Sequence, residues 1–194
     1  ALKYLSIISN ITRLNPLTAG TIQDLSTIYQ NSGWQADEAM VQALSSVEMQ
    51  EDLEAIKTAI IAIYKPWVEE SARYLQKITY QNGYAGGDLS THKTDLYEKG
   101  ECVLFVDGLR FDAAKKLTKM LTDQGYHIEE KPVWTTLPSV TATGKPAVTP
   151  VHNKIQGRDA NADFIPNVAE TGQPLTSYYL KKLLTDAGWE TLEL

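Results

Sequence analysis

The residue whose position best suits chemistry is Asp107, which directly follows the apolar run at residues 102–106. Five apolar residues in a row predict a strand that is buried on both faces. In open α/β sheets ligands bind outside the carboxyl ends of the strands, so we expect the Asp107 carboxylate to face a ligand. Hard and borderline metal ions accept such a group. The alternative is that Asp107 caps the helix predicted to follow it.

Two further charged residues follow Asp107 closely. Asp112 is expected as the cap of the next helix or in its first turn, because both places favour a carboxylate. Arg110 has two alternatives, a bound phosphate and an ion pair with Asp112. Of these two we favour the ion pair.

The second candidate is Thr141, in a segment at residues 135–146 that is rich in hydroxyl groups. One βα unit and one strand separate it from Asp107, so in a parallel sheet both would lie near the same edge. A threonine at a helix N-terminus is placed to meet an anion. Its hydroxyl becomes a good nucleophile only when a base or a metal lowers its pKa. The alternative, which spacing alone favours, is a threonine that caps a helix in a polar loop.

The elements that must position these residues fall into two regions. Residues 1–98 are predicted to form a helical region that ends in a polar, glycine-bearing loop beginning near Asn82. Two short helices are expected early in this region, at residues 21–30 and 34–47, with a stop between them at Asn31-Ser32-Gly33.

A longer apolar stripe recurs at helical spacing between residues 53 and 74. Pro66 interrupts it, so either one helix kinks there or a second helix opens at Pro66, where the missing N–H does little harm. In the second case the pair Glu69-Glu70 would lie in the first turn of the new helix.

Residues 99–194 alternate strand and helix patterns, which is typical of α/β proteins with a parallel sheet. The inner face of the first helix of this region would carry Ala113, Ala114, Leu117, Met120 and Leu121. The expected order after the first strand is a helix at 112–124, a strand at 126–134, at most a short helix within 135–150, a loop at 151–174, a helix at 175–187 and a strand from Trp189.

Composition restricts the classes of function. The chain has 194 residues, a net charge of −6 and one cysteine. The negative charge argues against broad nonspecific nucleic-acid binding, although metal ions can supply positive charge locally. The single cysteine excludes a disulfide within the chain and favours a cytoplasmic protein. No apolar window is long enough to predict a membrane span.

Two runs together resemble the start of a PglZ domain, a family of the alkaline phosphatase superfamily that occurs in BREX phage-defence systems of bacteria. They are VDGLRFDA at residues 106–113 and LPSVTA at residues 137–142. The run WVEESARYLQ at residues 67–76 is similar to the region that precedes the domain in BREX versions. The resemblance therefore implies an N-terminal helical segment followed by the first βαβ units of an alkaline-phosphatase-like, mainly parallel sheet.

The resemblance also implies a chemistry. Asp107 matches the first metal-binding aspartate of the superfamily, and Thr141 matches the nucleophile, which also contacts metal. The family mechanism uses two divalent metals, usually zinc, in an in-line displacement that passes through a phosphorylated threonine. The sulfatase signature is missing, so phosphoryl chemistry is favoured over sulfuryl chemistry.

The remaining superfamily ligands come late in the domain, and this sequence does not reach them. It starts at Ala1 and ends on a strand-like stretch, so we expect a truncated domain at residues 99–194. Two candidate ligands do not make a dinuclear centre, because zinc sites generally use three or four protein ligands. We therefore expect the isolated chain to be inactive or nearly so.

Three hypotheses follow from the sequence. The first is part of a metal-dependent phosphatase or phosphodiesterase, including a nuclease, that acts on a phosphodiester or nucleic acid through the complete protein. The second is a non-catalytic scaffold whose helical region docks other proteins of a defence system. The third is a flavodoxin-like receiver with Asp107 as phosphate acceptor. It ranks last because such a domain needs an acidic pair at the end of an earlier strand, and residues 1–100 show no such strand.

Overall fold

A computed structural model describes residues 1–13, 20–87, 100–157 and 164–192 of the chain. The chain divides into two compact units. The helical unit comprises Ala1–Ala85 and Leu109–Glu129, and the second unit comprises Gly86–Gly108 and Glu130–Leu194. Most of the predicted loop after Asn82, residues 88–99, lies outside the described residues.

The helical unit contains six described α-helices, and it includes a first helix that the sequence patterns had not singled out. Their bounds are α1 Leu2–Arg13, α2 Ile22–Ile28, α3 Trp34–Ser45, α4 Gln50–Ile63, α5 Lys65–Asn82 and α6 Phe111–Asp123. The helices predicted at 21–30, 34–47 and 112–124 are therefore confirmed to within a few residues.

The predicted stop at Asn31-Ser32-Gly33 is wrong. A π-helical turn at Tyr29–Gly33 joins α2 directly to α3. Glycine ends a helix only when it adopts the left-handed conformation, and Gly33 has helical dihedral angles of φ −58° and ψ −39°. The start of α2 follows the expected rule, because Thr21 and Asp24 form a reciprocal capping box.

Pro66 separates two helices, as one of the two alternatives predicted. Helix α4 ends at Ile63 and α5 begins at Lys65, with the proline in the first turn of α5 where its missing N–H is tolerated. The prediction that Glu69-Glu70 lie in that first turn is wrong, because α5 has no acidic residue there. Glu69 instead pairs along the helix with Lys65 and Arg73, at 3.7 and 3.5 Å.

The core of the helical unit forms where the apolar stripes of its helices meet. One cluster of buried residues joins α1, α3 and α4, and its members are Ile8, Ala39, Ala43, Ile56 and Ile60. Ile56 and Ile60 belong to the apolar stripe that the sequence predicts between residues 53 and 74. Small alanines on α3 leave room for neighbouring backbones to approach closely, and α1 makes its closest packing with that helix.

The second unit combines short elements around a small core. Its described helices are α7 Thr141–Ala147 and α8 Ser177–Asp186, and its strands are β1 Ile155–Gln156 and β2 Asn167–Val168. The strands pair antiparallel, with Ile155 opposite Val168. The core consists of Ala147, Val151 and Ile155, against which Leu180, Leu183 and Leu184 of α8 pack.

The predicted strands at residues 102–106, 126–134 and 189–192 are not present in the described part of the chain. Two residues of the first run, Leu104 and Val106, have exposed fractions of 68% and 44%. An apolar run becomes a strand only when a neighbouring strand completes its backbone hydrogen bonds, and periodicity carries no information about that partner. Among the described residues, the sheet of β1 and β2 is the only one, so the parallel sheet stays a prediction.

The predicted inner face of α6 is wrong for three of its five residues, since only Ala114 and Leu121 are half-buried and Ala113, Leu117 and Met120 are exposed. Leu117 and Met120 have exposed fractions of 44% and 52%, whereas Asp112 is the buried residue of the helix. No described helix has the length and hydropathy that crossing a membrane would require.

Candidate functional site

The structure brings the two candidate site residues into direct contact. Thr141 Oγ1 donates a hydrogen bond to Asp107 Oδ2 at 2.8 Å, across 34 residues of sequence. Both residues belong to the second unit, and both are exposed. A carboxylate and a hydroxyl therefore face solvent side by side, where a soluble ligand can reach both.

Asp107 does not cap the helix that follows it. It lies in a turn with Gly108, whose φ of +66° is a left-handed conformation that favours glycine. The N-cap position of α6 is Arg110, and no side chain makes a cap hydrogen bond there. The alternative role for Asp107 is thus excluded, and its carboxylate is available to Thr141.

Thr141 likewise does not cap a helix. Val140 is the N-cap residue of α7 and Thr141 is the first residue inside the helix, so its side chain does not satisfy the terminal N–H groups. The hydroxyl that would have capped the helix is instead directed to Asp107. The role of Thr141 as a nucleophile stays a prediction.

Thr143 holds the backbone that presents Thr141. Its Oγ1 donates to the carbonyl oxygens of Val140, at 3.1 Å, and of Pro138. The side chain is buried, so the threonine satisfies carbonyls of the turn that precedes α7 from inside the fold. Sequence reasoning missed this residue, although a second threonine two positions after Thr141 was the available signal.

The far end of α7 is anchored in the core of the second unit. Pro146 and Ala147 are buried, and Ala147 packs with Val151 and Ile155. The helix therefore has a fixed C-terminal end and an exposed N-terminal end, which carries Thr141. This explains how a helix of seven residues holds one side chain in a defined place.

Arg110 and Asp112 form the ion pair that the sequence favoured. Arg110 Nε and one Nη donate to the two carboxylate oxygens at 2.9 and 3.2 Å. The hydrogen bond to Asp112 raises the pKa of the Arg110 guanidinium. Asp112 lies in the first turn of α6, as expected. A buried carboxylate with both oxygens bound is a structural partner, and Arg110 is committed to it.

A second polar cluster lies in the helical unit, and the sequence did not indicate it. Asp37 accepts hydrogen bonds from the hydroxyls of Tyr29, at 2.6 Å, and of Tyr64. Burial, and then the hydrogen bond to Asp37, raises the pKa of both tyrosines. The cluster lines a groove of about 370 Å³ together with Trp67, Arg110 and other residues.

Asp107 and Thr141 supply oxygen ligands of the kind that divalent metals accept in phosphoryl-transfer sites. Their number falls short of a complete site, because zinc generally needs three or four protein ligands. Within residues 1–13, 20–87, 100–157 and 164–192, no group of three or more His, Cys, Asp or Glu side chains could hold a metal ion. The pair fits one part of a metal site and does not form a metal site alone.

One comparison with known proteins identified a family. A family model described as "BREX system PglZ alkaline phosphatase-like domain" matches residues 89–191, which is more than half of the chain. The matched range contains both Asp107 and Thr141. No curated protein and no solved structure matched the chain.

Proposed function

Because the chain belongs to the family of alkaline phosphatase-like PglZ domains of BREX systems, we propose that it forms part of a metal-dependent hydrolase of phosphoric esters. Membership of this family implies a phage-defence context and an alkaline phosphatase-like domain. The observation that carries the proposal is the 2.8 Å hydrogen bond between Thr141 Oγ1 and Asp107 Oδ2. It supports the proposal because a hydroxyl that could act as a nucleophile lies beside a carboxylate that could accept its proton and contact a metal.

In this proposal Thr141 is the nucleophile. Its Oγ1 attacks the phosphorus of the substrate while the ester P–O bond on the opposite side breaks. The hydroxyl proton leaves along the hydrogen bond to Asp107, and the departing alkoxide takes a proton from solvent. Water then displaces the phosphoryl group from the threonine, whose oxygen takes back the proton held by Asp107, and both side chains return to their starting states.

Asp107 and Thr141 are the residues of this chain that would hold zinc or another divalent metal. When bound, such a metal lowers the pKa of the nucleophile and neutralises charge that develops on the phosphoryl oxygens. A carboxylate has two oxygens, so Asp107 can orient the hydroxyl with one and contact a metal with the other. The described residues offer no third ligand nearby, and we expect weak metal binding and little turnover from them alone.

The proposed domain organisation keeps a helical region at residues 1–98 and the alkaline-phosphatase-like part at residues 99–194. The apolar residues at 102–106 support a parallel strand in the complete domain. Leu104 and Val106 are exposed in the described structure, and apolar side chains of this size gain free energy when a neighbouring strand covers them.

The test is hydrolysis of a generic phosphodiester by the complete protein with Zn²⁺ or Mn²⁺ added. Thr141→Ala and Asp107→Ala should each lower kcat/KM by about 100-fold or more, because each removes a group that acts on the transition state. Ser139→Ala is the matched control, since Ser139 is an exposed hydroxyl of the same segment. Equal activity in all of these proteins would contradict the proposal.

The second candidate is a non-catalytic scaffold in a defence complex. It is favoured by the absence of a three-ligand cluster among the described residues and by the groove in the helical unit. Its partners would be other proteins of the defence system, whereas the hydrolase would also bind a phosphodiester or nucleic acid. The scaffold would be favoured if Asp107→Ala and the wild type hydrolysed the phosphodiester equally. Both proteins should then also capture the other defence proteins in a pull-down.

A further inference from the structure

A second side chain of α7 lies close to the segment that carries Asp107. Lys145 Nζ lies over the ring of Phe105, 5.8 Å from its centroid. Lys145 follows Thr141 by four residues, which puts the two side chains on the same face of the helix. One face of α7 thus meets the segment twice, at Asp107 through Thr141 and at Phe105 through Lys145.

The ammonium of Lys145 is available for a ligand. The residue is exposed, and no salt bridge joins it to a carboxylate in the described parts of the chain. A lysine ammonium has three N–H donors, and the face of Phe105 engages the charge without accepting a full hydrogen bond. The Phe105 ring positions the Lys145 side chain, while the N–H donors of the ammonium stay open to solvent.

A phosphoric ester bound at the Asp107–Thr141 pair would need such a cation to offset its negative charge. A phosphoric ester is an anion, and the Asp107 carboxylate repels it. Arg110, the cation nearest to Asp107 in the sequence, is held by Asp112 in a two-point ion pair. Lys145 shares a helix face with Thr141, contacts the segment that carries Asp107 through Phe105, and has no salt bridge among the described residues.

We propose that Lys145 binds a non-bridging oxygen of the phosphoryl group that is presented to Thr141. The proposal rests on the proposed phosphoryl-transfer function and adds the residue that recognises the anion. The substrate class is an ester with a free anionic phosphoryl oxygen. Another role for a lysine near a helix C-terminus is attraction to the helix dipole, which would affect stability and leave phosphate affinity unchanged.

The test measures anion binding without catalysis. Inorganic phosphate, and separately dimethyl phosphate, is titrated into the full 194-residue chain, and amide chemical shifts of α7 are followed by NMR. Lys145→Gln should raise the Kd for both probes at least about fivefold, and Lys145→Arg should keep it within about twofold because the charge remains. Lys154→Gln is the matched control, since Lys154 is an exposed lysine of the same unit.

Asp107→Asn should tighten phosphate binding, because it removes the repelling charge beside the same site. No saturable binding in the wild type, an unchanged Kd in Lys145→Gln, or an equal loss in Lys154→Gln would each overturn the proposal. Spectra of the variants without phosphate establish that each is folded.

A kinetic measurement in the complete protein separates this proposal from the proposed function. If Lys145 binds the substrate anion, Lys145→Gln raises KM for a phosphodiester by at least about fivefold, and Lys145→Arg restores it. If Thr141→Ala leaves hydrolysis unchanged, the nucleophile assignment fails. The phosphate titration of Lys145→Gln still decides the anion site in that case, because it does not depend on turnover.

Discussion

At the scale of single residues, the structure decides between two roles for each candidate. Asp107 and Thr141 both had a capping alternative, and neither residue caps a helix. Helices α6 and α7 begin without side-chain caps, so the polar groups that could have satisfied their N–H donors are free for other partners. The result is an exposed carboxylate–hydroxyl pair, whereas Asp112, five residues after Asp107, is a buried structural acid.

The ligand count at this pair leads to a prediction about metal binding. Calorimetric titration of the chain with Zn²⁺ should show weak binding, because Asp107 and Thr141 alone offer fewer ligands than a zinc site needs. Asp107→Asn should weaken that binding by at least about tenfold, since even the loss of an outer partner has an effect of that order. Asp186→Asn, at an exposed aspartate of the same unit, is the control. Tight binding of two metal ions by the wild type would refute the prediction.

At the scale of elements, helices followed their sequence patterns and strands did not. The proline in the first turn of α5 and the apolar spacing of α3 and α6 placed these helices, because helical hydrogen bonds are local. Which face of a helix is buried, in contrast, is not decided locally. The side of α6 that carries Leu117 and Met120 is exposed. Burial requires a neighbouring element, and the periodicity of a helix does not specify which element that is.

The cluster of Asp37 with Tyr29 and Tyr64 connects α3 with the π-helical turn before it and with the junction of α4 and α5, and this leads to a prediction about pH. The pKa of both tyrosines is raised, so the folded protein keeps two protons that the unfolded chain loses above about pH 10. The stabilisation is therefore complete below about pH 10 and is lost as the pH rises further. The slope cannot exceed about 1.4 kcal/mol per pH unit for each tyrosine, because each contributes at most one proton to the difference between the two states, and solvent around the half-buried hydroxyls reduces the effect further.

Urea unfolding between pH 8 and pH 11, monitored by circular dichroism, tests this behaviour. The double variant Tyr29→Phe, Tyr64→Phe should be less stable than the wild type at pH 8 and should lose less stability on going to pH 11. Tyr80→Phe is the control, because its side chain is 93% exposed. A pH dependence of the double variant equal to that of the wild type would contradict the role given to the cluster.

At the scale of the whole molecule, the described residues of each unit include a hydrophobic core, and the core described in the helical unit is the larger of the two. It joins α1, α3 and α4, whereas the core of the second unit consists of Ala147, Val151 and Ile155 with the leucines of α8. The family match at residues 89–191 includes α6, which belongs to the helical unit, as well as the second unit. The family domain and the compact units thus follow different boundaries along the chain.

The small core makes Ile155 a sensitive position. Its side chain is 1% exposed, so Ile155→Ala should lower the free energy of unfolding by about 2–5 kcal/mol and Ile155→Val by about 0.5–1.5 kcal/mol. Leu192→Ala should change it by less than about 0.5 kcal/mol, because Leu192 is 79% exposed. Urea unfolding followed by tryptophan fluorescence measures the three values. Equal stability of the Ile155→Ala and Leu192→Ala proteins would contradict this view of the core.

The sequence alone determined most helices, the ion pair of Arg110 with Asp112, the choice of Asp107 and Thr141 as candidates, and the family, because these depend on local spacing and on residue type. Only the tertiary structure decided that Asp107 and Thr141 meet, that Thr143 supports the turn, and that Lys145 lies over Phe105. Only the tertiary structure likewise showed that Asp37 forms a cluster with tyrosines, and that the runs at 102–106 and 126–134 are not strands in the described part of the chain. Each of these depends on which distant segments become neighbours, and a periodic pattern specifies one face of a segment without specifying its partner.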